Sequence, residues 1–78
     1  MDYRKGGDVM TKSFSVRSHP DGQWQAWDIP TYKKACTVAK EQSKAYQLPF
    51  LVVDHTGWVW SAYRNGKAIP GFLPYQLQ

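Results

Sequence analysis

The sequence predicts an α+β domain: a four-stranded antiparallel sheet in the order strand, strand, helix, strand, strand (ββαββ), with one helix packed on one face. Three observations predict it. Residues 31–47 form the only run long and periodic enough for a helix. A pair of short β-rich runs lies on either side of that helix, and each pair is joined by turn chemistry, Pro20-Asp21-Gly22 in the first and His55-Thr56-Gly57 in the second.

Residues 1–12 are polar, contain Gly6 and Gly7, and show neither helical nor alternating apolar spacing, so a disordered leader is expected there. The domain proper is expected over residues 13–67. Phe14 and Val16 alternate with Ser13, Ser15 and Arg17 as the first strand, and Trp24, Ala26 and Ile29 belong to the second. Pro20 sets a turn dihedral and Gly22 tolerates a positive one, which makes this pair a hairpin.

The helix has its start and stop written in the chain. Thr31 is the expected N-cap, because its hydroxyl can accept from an amide one turn later, and Pro30 discourages helix before it. Pro49 closes the other end. At 100° per residue, Ala35, Val38, Ala39, Gln42, Ala45 and Tyr46 share one side while Lys33, Thr37, Lys40 and Lys44 line the other. The short inner side chains allow close approach to a sheet, with Tyr32 and Cys36 flanking the contact.

The third strand, residues 50–54, is apolar on both sides, with Phe50 and Val52 against Leu51 and Val53. In the fourth, strict alternation places Trp58, Trp60 and Ala62 on one face and Val59 and Tyr63 on the other. One helix covers one face. The second face is therefore expected to be covered either by the Pro-containing apolar tail, residues 68–78, or by a second copy of the chain, so that a homodimer is expected. Pro70 and Pro74 exclude a helix or central strand in that tail.

With 78 residues and no internal repeat, the chain is one domain near the size at which a single core is only marginally stable. One cysteine cannot form an internal disulfide, and no signal-like segment opens the chain, so a cytoplasmic setting is expected. No run approaches the roughly 18 apolar residues of a membrane helix. The formal charge of +4 leans mildly towards polyanions, while four Trp in so short a chain are too many to bury completely.

The layout resembles a family of small bacterial domains of unknown function. In these a Gly-Trp hairpin precedes an Ala-rich, Lys-rich helix and a Gly-turned hairpin follows. The likeness is carried by Asp21-Gly22-Gln23-Trp24, by Tyr32-Lys33-Lys34-Ala35 with Ala39-Lys40, and by Val52-Val53-Asp54-His55-Thr56-Gly57. It departs at Gln23, where a second Gly is usual, and at the extra Trp27, Trp58 and Trp60. The resemblance implies the fold alone, and no activity.

Catalysis would have to start from Cys36, His19, His55, Asp54 and Asp28, whose spacing matches no mechanism, and a mid-helix Cys beside an Ala face is normally a small hydrophobe. There is no Cys-x-x-Cys or His-x-x-x-His pair for a metal and no Gly-rich phosphate loop, so no enzyme, metal or cofactor is expected. The expected role is a small binding protein that self-associates and acts on a protein partner. The combination is typical of phage and mobile-element accessory proteins, an association rather than a physical inference. Trp27, Trp58, Trp60 and Tyr63 on the strands, with Phe72, Leu73 and Tyr75 of the tail, are the candidate contact residues, because aromatics dominate interface energetics. The alternative is a nucleic-acid-binding module in which Lys33, Lys40, Lys44, Arg17, Arg64 and Lys67 hold phosphate and exposed rings stack on bases. Against it, Glu41 interrupts the helix lysines, which otherwise read as an ordinary solvated face.

Overall fold

The computed structural model describes residues 13–77, and the expected leader lies outside them. The elements are β1 (Phe14–Ser18), β2 (Gln25–Ile29), α1 (Tyr32–Tyr46), β3 (Phe50–Asp54), β4 (Trp58–Arg64), β5 (Lys67–Ala68) and β6 (Tyr75–Gln76). All strand pairs are antiparallel, in the order β2-β1-β3-β4-β5, with β6 also on β4.

The α+β class and the two hairpins around a single helix agree with the sequence, but the four-stranded sheet is corrected to six strands among the described residues. The extra two are two-residue strands from the chain after Arg64. The Asn65-Gly66 turn brings Lys67 and Ala68 back against Arg64 and Tyr63, and Tyr75 and Gln76 pair with Val59 and Trp58. Both occupy the edge of β4 that faces away from β3. Pro70 and Pro74 fall between the two pairs, where no ladder amide is needed.

The helix begins and ends as its capping residues dictate. Thr31 Oγ1 accepts from the Lys34 amide at 3.1 Å. Gln47 closes the other end in the left-handed region, φ 57°, its amide donating to the Ser43 carbonyl at 3.0 Å. The side it buries is a single row, Ala35, Ala39 and Ser43, while Ala45 and Tyr46 are exposed. The expected arc is thus displaced towards Ser43, a polar residue that hydropathy places outside. Its burial is tolerated because the hydroxyl donates to the Lys40 carbonyl and accepts from the Gly66 amide, both at 2.9 Å.

Two apolar layers result. On the helix side Val16, Ile29, Phe50, Val52 and Tyr63 pack with Ala35 and Ala39, and Trp24 meets Phe50 edge-on at 5.5 Å. On the other side Leu51, Val53, Val59 and Ala62 are covered by Ile69, Phe72 and Leu77. The second face is therefore filled by the chain's own tail, and the count of surfaces that called for a second copy is met within one chain.

The expected faces of β4 are also corrected. Val52 pairs with Ser61 and Val53 with Val59, so Trp60 is an extra residue without a partner on β3. This bulge shifts the alternation. Val59 and Ala62 share the tail side, whereas Tyr63 joins the helix-side core. A second bulge lies on β2, where Trp27 and Asp28 both fall opposite Ser15 and Asp28 adopts φ 59°. Among the described residues no helix is long and apolar enough to cross a membrane.

Candidate functional site

Both bulges lie at the same end of the sheet, beside Phe14 of β1, which pairs with Ile29 on one side and Asp54 on the other. Asp54 organises that end. Its Oδ1 accepts from the Thr56 amide at 2.8 Å, from Thr56 Oγ1 at 2.6 Å and from the Trp58 amide at 3.1 Å, an Asx-type turn that fixes the β3–β4 connection. Its Oδ2 accepts from Trp60 Nε1 at 2.9 Å. Partial burial pushes this carboxyl up, but the hydrogen bonds from Thr56, Trp60 and the two amides outweigh it and hold the group at about 2. Asp54 is a carboxylate at any physiological pH.

The bulge turns Trp60 towards the helix side, where it is half-exposed and meets Trp58 edge-to-face at 6.1 Å. Across from it, Tyr32 in the first turn of α1 packs on Phe14 at 5.8 Å and donates to Ser61 Oγ at 3.1 Å. Phe14, Tyr32, Trp60, Asp54 and His55 together line a groove of about 460 Å³. Its walls are three aromatic rings, and among the described residues its one fixed charge is negative.

Beneath the groove, Cys36 Sγ lies 4.0 Å from Ser61 Oγ and is half-buried. Burial, reinforced by the Cys36 thiol, pushes the Tyr63 phenol up to about 12, and burial raises Tyr32 against the opposing bond from Ser61. This is a packed polar contact. Neither histidine takes part in it: His19 is in the β1–β2 turn and His55 in the β3–β4 turn.

A second cleft, about 500 Å³, opens on the tail side between Arg17, Trp27, Val53 and Leu77, with Asp54 and His55 on the shared wall. The Arg17 guanidinium lies 5.9 Å from the centroid of Trp27.

The expected contact residues are dispersed. Trp58 and Trp60 lie at the groove end and Trp27 at the tail-side cleft, while Tyr63 is buried in the core and Phe72 packs on the second apolar layer. Among the described residues Leu73 is the most exposed large apolar side chain, at 79%, and Tyr75 is exposed beside Phe72. Among the expected phosphate contacts, Lys40, Lys44, Arg64 and Lys67 come to one end, because the Gly66 turn docks against the helix at Lys40 and Lys44. Lys40 there lies over the Tyr63 ring at 5.7 Å. Lys33 is at the far end of the helix, and Arg17 faces the opposite side of the sheet.

Sequence reasoning missed Phe14, Tyr32 and Asp54 as groove residues. The Asp54-His55-Thr56 turn was a legible signal for an Asx cap, whereas nothing local marks the bulge that brings Trp60 over it. Among the described residues no three His, Cys, Asp or Glu side chains gather as a metal site. No family model, curated protein or solved structure matches this chain.

Proposed function

We propose that this is a non-enzymatic binding domain that acts on a protein partner through the groove between Phe14, Tyr32 and Trp60. The observation that carries the reading is that two exposed rings share one groove, whereas Trp27 and Tyr46, individually more exposed, stand apart from it. The tail fills one sheet face and the helix most of the other, yet Tyr32 and Trp60 are left exposed together at one end, held by hydrogen bonds to Ser61 and Asp54. Rigid, pre-positioned Trp and Tyr rings in a concave setting are the usual anchors of protein recognition. Self-association has less behind it than a protein partner, since the face that called for a second copy is filled.

Site-specific photo-crosslinking from position 55, on the rim of the groove, tests this. A discrete protein adduct that disappears in Tyr32→Ala supports the reading, and an adduct to nucleic acid alone overturns it. Nucleic acid is the alternative that a specific observation favours, the convergence of Lys40, Lys44, Arg64 and Lys67 at the helix–hairpin junction. Binding of labelled DNA or RNA there has to weaken steeply with salt.

A further inference from the structure

The groove has a chemical character beyond being apolar. Aromatic faces carry negative electrostatic potential, so a cation placed among them is attracted without needing a hydrogen bond. Phe14, Tyr32 and Trp60 supply three such rings, and among the described residues no Lys or Arg lines the groove. The orientations are fixed beforehand: Tyr32 by its bond to Ser61 and its contact with Phe14, and Trp60 by Asp54 and its contact with Trp58.

Asp54 adds a full negative charge, but one with little hydrogen-bonding capacity to spare. Oδ1 already accepts three donors and Oδ2 one, close to the roughly four acceptor positions a carboxylate offers. A primary ammonium has three donors to satisfy and would find at most the one open Oδ2 position in exchange for its water. A methylated ammonium has no donors to satisfy and meets the rings through its methyl groups, gaining from the charge by proximity alone. The groove, at about 460 Å³ and open to solvent, has room for such a head group with part of the chain that carries it.

We infer that the Phe14–Tyr32–Trp60–Asp54 groove is a cage for a trimethylammonium group. This rests on the reading of the groove as the working surface and names what that surface selects. Two sources share the chemistry, a trimethylated lysine on a protein partner and a free choline-type molecule.

The test is an NMR titration of the full chain, following the indole resonances of Trp58 and Trp60. The ligands are choline chloride, with sodium chloride matching the ionic strength, and choline's neutral tert-butyl analogue. Choline is expected to bind roughly tenfold more tightly than the analogue, the scale set by a few ring–cation contacts at a partly exposed site. Tyr32→Leu keeps apolar volume but removes a ring, and Asp54→Asn removes the charge; each is expected to erase most of that preference while the unliganded spectrum stays folded. Tyr32→Leu keeps the inference testable if Asp54→Asn fails to fold. Equal binding of choline and its neutral analogue, or no response to either, overturns the inference. A peptide carrying one trimethylated lysine, titrated beside its unmodified form, separates the sources: tighter binding than choline assigns the group to a protein, and binding of choline with no response to the peptide assigns it to a small molecule. If no quaternary ligand binds while crosslinking from position 55 still captures a protein, the cage fails and the protein-binding reading stands.

Discussion

Trp60 and Asp54, six residues apart, are joined by a hydrogen bond of 2.9 Å from the indole nitrogen to Oδ2, which ties the bulge in β4 to the turn that precedes it. The same carboxylate holds Thr56 and Trp58 through its other oxygen, so one side chain determines both the turn and the position of the exposed indole.

Asp54→Ala is accordingly expected to lower stability by roughly 1–2 kcal/mol, the scale of charge-assisted hydrogen bonds discounted for partial exposure. Chemical denaturation checks the magnitude. The indole emission of the native state should also shift to the red as Trp60 is released.

The pH dependence of stability has a definite sign at each end. Asp54 is held at about 2, below its unfolded value near 4, so its contribution is complete above pH 4 and lost as pH falls towards 2. Tyr63 is held at about 12, above the ordinary phenol value near 10, so the unfolded chain releases that proton first and stability declines between pH 10 and 12. Thermal melts across the range, with tyrosinate absorbance identifying the last phenol to ionise, test both limbs. A Tyr63→Phe variant should lose the alkaline limb attributable to this residue.

Ser43→Ala should be more damaging than its size suggests. The change removes one oxygen from a fully buried side chain and leaves the part-buried Gly66 amide without its acceptor, a loss of roughly 1–3 kcal/mol. A drop in Tm of several degrees, together with faster hydrogen exchange in β5, is the expected outcome.

Cys36→Ala, by contrast, is expected to cost about 1 kcal/mol and to leave binding intact, since the thiol is half-buried and meets the Ser61 hydroxyl only at 4.0 Å. Loss of binding by a variant with an unchanged melt would contradict the packing role.

Deleting residues 69–78 should expose Leu51, Val53, Val59 and Ala62 at once. The truncated chain is expected to bind a hydrophobic dye and to gain mass in light scattering, while Phe72→Ser alone should lower stability by roughly 1–3 kcal/mol.

What was legible in the sequence was what local chemistry controls. Thr31 capped the helix because a hydroxyl followed a proline at the right place, and β1 and β3 were recoverable from alternation and from a run apolar on both sides. The faces of β4 were not, because an alternation rule has no way to register one extra residue, and Trp60 looks like any other strand aromatic until its partner on β3 is found to be missing. Ser43 carries no core signal in the sequence, because a hydroxyl satisfied by a turn more than twenty residues away is a tertiary fact. The groove inherits both difficulties: its rings come from β1, α1 and β4, and no segment of the chain carries enough of them to announce it.

The tail that fills the second face also closes the outer edge of β4, with Ile69 donating to the Ala62 carbonyl and Leu77 to that of Gly57. Between those anchors the chain passes through an exposed Pro70-Gly71 turn. A single proteolytic nick there would release an apolar surface and a row of unpaired backbone groups together, the two ingredients of edge-to-edge aggregation. Protection of the sheet edge therefore depends on a short surface loop, and preparations clipped at that loop are expected to age into insoluble material faster than intact chains.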